Sequence, residues 1–453
     1  MTLSRNLLIP SLLGALHVYI GMRILPSMPE GVVRLSGILL IVLSFGLMSL
    51  SLVARSLWPR PFADRMAVPG YFMAGFFSSL LVLTVLRDAV LVPVVLLASH
   101  SHLRAYESVS ASMVLGVGIF ATLAGLVGAR RRARVVNVDV PLHNLAPALH
   151  GFSIVQISDI HVGTTIRKKY VEKIVEAVNA LKPDLIAVTG DVVDGSVRDL
   201  RVHTAPLAGL RAPHGAFFVT GNHEYYSGAS AWTAEFARLG LRVLLNEHIV
   251  IEHQGASLVI AGVTDFSSDR FNPSQRSDPH IALAGAPADA GVRILLAHQP
   301  RSAPAAASAG FDLQLSGHTH GGQFWPWNLF VRFQQPFTAG LHRLNRLWIY
   351  VSRGTGYWGI PNRFGAPSEI TRLRLVPINL GLSPRCSTHI AVPTTARVST
   401  VALTPLRSSQ ADRAKNPRQA NRGIRSKVFR ERALQHSQQL GNGVAVSFRS
   451  ASE

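Results

Sequence analysis

The sequence predicts a four-span membrane domain followed by a layered α/β domain. Two observations carry this reading. The first 128 residues are almost continuously apolar, and from Val135 short apolar runs alternate with helical stretches. Composition agrees: 15% charged residues lies well below a globular average, and the mean hydropathy is +0.25. A length of 453 residues allows two or three domains. The single cysteine, Cys386, excludes a disulfide framework and a Cys-rich zinc module. The apolar content excludes a wholly disordered chain.

Leu7 to Met22, Leu35 to Ala54, Pro69 to Leu86 and Val109 to Gly128 each approach the roughly 20 residues needed to cross hydrocarbon. One such run alone would fit a buried core helix. Four in series, joined by short Arg-bearing links, read as membrane spans. Leu7 to Met22 has no small-residue cleavage pattern behind it, so it reads as a span rather than a leader. The third run resumes after Arg87-Asp88 and continues to Ala98, so it either extends beyond the bilayer or bends at Pro93. Arg87 and Asp88 read as an interfacial ion pair near its end.

Arginines near the spans set the expected orientation. One side holds Arg5, Arg55, Arg60, Arg65, Arg130, Arg131, Arg132 and Arg134, and the other only Arg23, Arg34 and Arg104. Eight against three places the N-terminus and everything after residue 128 in the cytoplasm, in a multi-pass protein of the inner (cell) membrane.

In the second part, Ser153 to Ile157, Leu185 to Thr189, Ala216 to Thr220, Leu258 to Ala261, Arg293 to Ala297 and Leu313 to Leu315 read as strands bounded by Gly, Pro and Asp. Leu347 to Ser352 and Glu369 to Leu375 complete the sheets. Lys168 to Leu181 reads as an amphipathic helix, with Val171, Ile174, Val175, Val178 and Leu181 on one face. Repeated strand and helix units imply layered α/β architecture. The expected parts are 1–134 (membrane spans), 135–377 (α/β) and 378–453 (tail). The tail has 12 Lys+Arg against 3 Asp+Glu, hence +9 of the chain's +20. Lacking periodicity, it reads as disordered and solvated. RNA or anionic lipid is the alternative partner, and nucleic-acid binding is not expected.

The chemistry lies where predicted strands run into loops, which is where open α/β sheets place ligands. Ser158-Asp159-Ile160-His161 follows the first strand, Gly190-Asp191-Val192-Val193-Asp194 the second, and Gly221-Asn222-His223-Glu224 the third. Ala297-His298 and Ser316-Gly317-His318-Thr319-His320 follow later ones. Carboxylate, imidazole and amide oxygen suit divalent Mn, Fe, Zn or Co, and the absence of thiolate argues against structural zinc. In extended chain, Asp159 with His161 and His318 with His320 face the same way. Any one of these elements alone is more often a turn or a cap; five in this order form a site.

These motifs, over roughly residues 150 to 376, resemble the calcineurin-like metallophosphoesterases. Gly221-Asn222-His223-Glu224-Tyr225-Tyr226-Ser227-Gly228 and Ser316-Gly317-His318-Thr319-His320-Gly321-Gly322-Gln323 most resemble its bacterial membrane-associated branch. Some members of that branch are described as UDP-2,3-diacylglucosamine hydrolases or general phosphodiesterases. The resemblance implies a β-sandwich flanked by helices (αββα) and two divalent ions. Asp159, His161 and His320 would hold the first, Asn222, His298 and His318 the second, and Asp191 would bridge them. His223 would act on the leaving oxygen rather than on metal, oriented by Asp194. Gly195 stands where the protein Ser/Thr phosphatase branch has an Arg, which argues against a phosphoprotein substrate. Two cations about 3.5–4 Å apart would share a hydroxide as nucleophile and neutralise the phosphoryl oxygens.

The resulting expectation is a membrane-anchored hydrolase of a phosphodiester or pyrophosphate, with a nucleotide-linked glycolipid as first substrate. The alternatives are an enzyme for soluble or cell-envelope substrates and a non-catalytic membrane sensor. The complete ligand set argues against the sensor. Trp325, Trp327 and Phe330 form either an apolar wall for a lipid-like substrate, a small core cluster or a membrane-facing edge. Tyr225 and Tyr226 either contact substrate or pack the loop, and Arg353 and Arg363 either bind phosphate or are solvated.

Overall fold

The computed structural model describes residues 2–378, apart from 60, 61, 98 and 99. Arg60, Cys386 and the expected tail from residue 379 onward lie outside the described residues.

Four helices come first: α1 (Thr2–Ile24), α2 (Val32–Leu57), α3 (Phe62–Leu97) and α4 (His100–Arg130). Each is long and apolar enough to cross a membrane. Ile20, Ile24, Phe76, Phe77, Leu80, Ala111 and Val114 meet in their shared interior. Leu39, Val42, Leu43 and Phe120 stay exposed, as the lipid-facing side of a span requires. Helix α3 has 36 residues and runs unbroken through Pro69 and Pro93. At 1.5 Å per residue it is about 54 Å long, well beyond the roughly 30 Å of hydrocarbon, so the third span extends.

The pairing expected at Arg87-Asp88 is only a minor contact, at 3.8 Å. Arg23 grips Asp88 with two hydrogen bonds of 2.8 and 3.0 Å, and the Tyr19 hydroxyl donates a third at 2.7 Å. The buried Arg87 donates to the Arg23 carbonyl, the Glu107 carbonyl and Ser110 Oγ. A network across α1, α3 and α4 therefore replaces the local pair.

The α/β part runs β1 (Arg134–Leu142), β2 (Ser153–Ile157), α5 (Lys168–Ala180), β3 (Leu185–Val188), α6 (Val197–Thr204), β4 (Ala216–Phe218), α7 (Asn222–Ser227), α8 (Ala229–Arg238) and β5 (Arg242–Val243). It continues through β6 (Glu247–His253), β7 (Ala256–Gly262), α9 (Pro279–Leu283), β8 (Val292–Leu296), α10 (Ala303–Ala309), β9 (Leu313–Ser316), α11 (Trp327–Phe330), β10 (Gly340–Leu344), β11 (Leu347–Val351) and β12 (Glu369–Pro377). Two six-stranded sheets result, ordered β1-β12-β2-β3-β4-β5 and β10-β11-β9-β8-β7-β6. Strands β2 to β5 are parallel in the first, and β7, β8, β9 and β11 are parallel in the second.

Alternation along each strand builds three apolar layers. Ile154, Leu185 and Phe217 of the first sheet face Ile260, Ile294 and Leu315 of the second. Val155, Ile186 and Phe218 face outward onto α5 and α8, meeting Val171, Val178, Trp232 and Phe236. Leu295, Ile349 and Val351 pack on α10 through Ala303 and Ala306. The layers are helix, sheet, sheet, helix. The carboxyl ends of β2, β3, β4, β8 and β9 open on a common edge of this sandwich.

Candidate metal centre

Each loop leaving that edge carries one motif. Five of its residues hold left-handed backbone: Asp159 (φ 53°), His161 (55°), Asp191 (52°), His318 (70°) and His320 (52°). That conformation is uncommon for residues with a side chain, and it clusters at functional sites, where the surrounding structure enforces it. Here the loops enforce one another. Asp159 and His161 donate their amides to the Gly190 and Asp191 carbonyls, and Gly356 donates back to the Asp159 carbonyl. Gly221 and Gly317 permit the approach, since a Cβ on either would overlap the Asp191 or Asp159 carboxylate.

The donor atoms then converge. His161 Nε2 lies 3.0 Å from His320 Nε2, which lies 3.4 Å from Asp159 Oδ1. His318 Nδ1 lies 3.0 Å from Asn222 Oδ1 and 3.2 Å from His298 Nε2. Asp191 Oδ2 sits between the two groups, 3.1 Å from His298 Nε2 and 3.9 Å from His161 Nε2. All seven residues expected to hold metal are thus brought together. Asp159, His161 and His320 form one group able to hold a cation, and Asp191, His298 and His318 another. Imidazole nitrogens aimed at one another, beside carboxylate and amide oxygens, fit divalent cations of intermediate softness. The far side of His298 is fixed as such ligands require: Nδ1 bonds the Thr189 carbonyl at 2.7 Å, leaving Nε2 toward the site.

His223 belongs to neither of these groups but to a third cluster able to hold a cation, with His161 and Asp194. Its Nδ1 bonds Asp194 Oδ1 at 2.7 Å, and its Nε2 points into the site, 4.0 Å from Asp191 Oδ2. The rings of Tyr226 and Trp358 flank it, with centroids 5.2 and 5.6 Å away.

A model of the calcineurin-like phosphoesterase family matches residues 152–322. A transmembrane protein with metallophosphoesterase domain from Bos taurus is 40% identical over 265 residues, covering 56% of this chain and 60% of that protein. An uncharacterized metallophosphoesterase of Aquifex aeolicus is 36% identical, covering 48% of this chain and 82% of that one. Another, from Bacillus subtilis, is 31% identical, covering 57% of this chain and 92% of its own length. This chain belongs to the calcineurin-like metallophosphoesterase family. It spans about 60% of the length of the cattle relative.

The electrostatics of this metallophosphoesterase site follow from burial opposed by close charges. Burial pushes the Asp191 carboxyl upward, but His298, His223 and His161 hold it well below the usual range. Burial likewise works against charging His223, yet Asp191 and Asp194 raise it to about 9. His318, buried beside His298, falls to about 3. A neutral imidazole is the form that binds a cation.

Sequence reasoning overlooked two supports of the metallophosphoesterase site. Glu224 is fully buried; its Oε2 accepts from the Gly221 and Asp191 amides at 2.7 and 2.9 Å, and its Oε1 from Val192 at 2.8 Å. It fastens the second motif loop to the third, and its place inside the Gly-Asn-His-Glu motif was the available signal. Arg363 is neither solvated nor open to phosphate. It is buried, donates to the His320 carbonyl at 3.0 Å and approaches His320 Nδ1 at 3.1 Å. Burial lowers it to about 10. Arg353 pairs with Glu369 at 3.0 Å. Trp327 and Phe330 are exposed, so they do not form a core cluster. Tyr225 packs near Phe271, with ring centroids 5.6 Å apart.

Proposed function

We propose that this chain is a membrane-anchored, metal-dependent phosphoesterase that hydrolyses a phosphodiester or pyrophosphate. In this reading Asp159, His161 and His320 would hold one divalent cation, Asn222, His298 and His318 a second, and Asp191 would serve both. The observation that supports it best is the position of Asp191, whose Oδ2 lies within 4.0 Å of nitrogens from His161, His298 and His223. Held by these residues, two divalent cations would supply an activated water and neutralise phosphoryl charge. The water would lose one proton to solvent on activation, its oxygen would bond to phosphorus as the bond to the leaving oxygen breaks, and that oxygen would take a proton. His223 donates this proton from Nε2, and Asp194 holds its ring from the other side.

The parts proposed are residues 1–134 as anchor, 135–377 as catalytic unit and 378–453 as a basic tail. The arginine distribution supports a cytoplasmic catalytic unit on an inner membrane. Among substrates, a lipid-linked one is favoured by the anchor, with a nucleotide-linked glycolipid first to test.

Metal analysis of the purified full chain, with hydrolysis of bis(p-nitrophenyl) phosphate, tests the reading. Two ions per chain and turnover are expected, and Asp191→Asn should lose both. One ion or none at full activity would overturn the two-metal account.

A further inference from the structure

Residues 322–333 and 357–364 are cross-linked into one lobe. Gln323 Nε2 donates to the Trp358 and Ile360 carbonyls at 2.9 and 3.0 Å, and its Oε1 accepts from the Trp358 amide at 2.8 Å. The Trp325 amide donates to the Phe364 carbonyl at 2.7 Å. At one end of the lobe Trp358 stands beside His223, so the lobe borders the candidate catalytic group. At the other end it packs against the spans: Trp327 Nε1 donates to Ser78 Oγ of α3 at 2.8 Å, and Phe364 meets Phe120 of α4 edge to face at 6.1 Å.

The depth of these contacts follows from helix geometry. Ser78 is fourteen residues beyond Asp64 and nine short of Arg87. At 1.5 Å per residue that is about 21 Å and about 14 Å. Both flanking positions are polar boundaries. Asp64 bonds Arg167 at 2.9 Å in the α/β part, and Arg87 lies in the network with Arg23 and Asp88. Ser78 therefore lies inside the apolar stretch between them, a stretch close to the ~30 Å of hydrocarbon. Phe120 is ten residues from Arg130, about 15 Å along α4. The lobe therefore packs along the sides of α3 and α4 instead of resting beyond their ends.

Its outward surface suits hydrocarbon. Leu329 and Phe330 are about half exposed, and Phe333 is 76% exposed. Arg332 lies 5.4 Å over the Phe333 ring, and its long side chain can carry its charge back to head groups. A run of apolar side chains of this kind is costly in water, and in this protein it continues the surface of the spans.

We propose that the lobe Phe324–Phe333 is inserted into the bilayer from the catalytic side. It thereby places the metal centre at head-group level, to receive the phosphate ester of a membrane lipid laterally from the leaflet on that side. This inference rests on the phosphoesterase reading for its chemistry, but not for the insertion.

The test uses the full chain in phosphatidylcholine vesicles. An environment-sensitive fluorophore on Phe333→Cys, in a Cys386→Ser background, should be quenched by acyl-brominated phosphatidylcholine. The same fluorophore on Val202→Cys, an exposed position on α6, should not be. Equal quenching at both positions would overturn insertion. The double variant Phe330→Ser with Phe333→Ser should hydrolyse bis(p-nitrophenyl) phosphate as the parent does. Its turnover of phosphatidylglycerol or a nucleotide-linked diacyl lipid, whichever the parent hydrolyses in vesicles, should fall at least about tenfold. An unchanged rate on that lipid would overturn lateral delivery, and so would a parent active on the soluble diester but on neither lipid. A parent inactive on every substrate would sink the phosphoesterase reading, while the quenching still decides insertion.

Discussion

Asp194 Oδ1 accepts hydrogen bonds from two histidines at once, His161 Nδ1 at 3.0 Å and His223 Nδ1 at 2.7 Å. One of these belongs to the group able to hold a cation with Asp159 and His320. The other is the candidate proton donor. From the sequence, Asp194 would orient His223 alone. In the fold one carboxylate sets the ring position of both, and the two histidines hold it below the ordinary carboxylate range despite its burial.

Asp194→Asn should therefore impair metal as well as proton transfer. Both rings donate to the same oxygen, so an amide oxygen there keeps the geometry but, without the negative charge, is a weaker acceptor for each of them. Supports of this kind typically contribute about 10–100-fold to metal affinity or activity. Metal titration of the variant should show one weakened site beside the loss in turnover. Full affinity at both sites would mean that Asp194 serves His223 only.

Glu224 should matter for stability before it matters for rate. Its carboxylate satisfies three buried backbone amides, from Gly221, Asp191 and Val192. Each buried donor left without a partner costs about 1–3 kcal/mol. Glu224→Ala should thus destabilise the α/β part by about 3 kcal/mol or more. Glu224→Gln should behave nearly as badly, because its amide nitrogen would face the donors it must satisfy. Thermal unfolding of metal-free protein isolates this effect from ligand binding. An unchanged midpoint for Glu224→Ala would contradict it.

What was legible in the sequence divides by position in the sheets. The strands read correctly, such as Leu185–Val188 and Ala216–Phe218, are buried on both faces and appear as unbroken apolar runs. The four strands overlooked, β1, β5, β6 and β10, are the edges of the two sheets. Their half-solvated faces carry residues such as Asn137, Asp139, Glu252 and Arg343, which dilute the signal. The motif loops were legible because their chemistry is local. Arg363 was not, since its partner His320 is 43 residues away and α4 holds the loop between. Arg87 likewise showed only its neighbour Asp88, while its hydrogen-bond partners come from α1, the turn after it and α4.

A substitution inside a span should register at the metal centre. The Arg363 amide donates to the Gly125 carbonyl of α4 at 3.0 Å, and a Cβ on Gly125 would overlap Asn362 Oδ1. Gly125→Val must displace the Asn362-Arg363 segment, and with it the guanidinium that braces His320. Metal content and turnover should fall together, while Gly116→Val, at an open position of the same helix, should change neither. Equal behaviour of the two variants would deny the coupling.

Orientation can be decided independently of chemistry. The arginine asymmetry predicts that the segment after α4 faces the cytoplasm. A fusion at residue 140 to a reporter active only in the cytoplasm should be active, and one to a reporter active only outside should be silent. The opposite pattern would move the catalytic unit, and its substrates, to the envelope side.

The sharpest prediction concerns His223, because it separates chemistry from scaffolding at one side chain. Its Nε2 faces Asp191 from 4.0 Å, and in the one cluster it shares, with His161 and Asp194, both rings spend Nδ1 on a hydrogen bond to the carboxylate. His223→Ala should accordingly leave metal content intact. Asp191 and Asp194 raise the imidazole to about 9, so it carries its proton at neutral pH and can give it to a leaving oxygen. Positioned proton donors contribute about 10²–10⁴-fold to rate, and turnover of alkyl phosphodiesters should fall by that order. Nitrophenolate leaves without help, so the loss on bis(p-nitrophenyl) phosphate should be much smaller. A loss of metal in this variant would make His223 a ligand. An equal loss on good and poor leaving groups would show that the ring stabilises charge on the phosphoryl group and donates no proton.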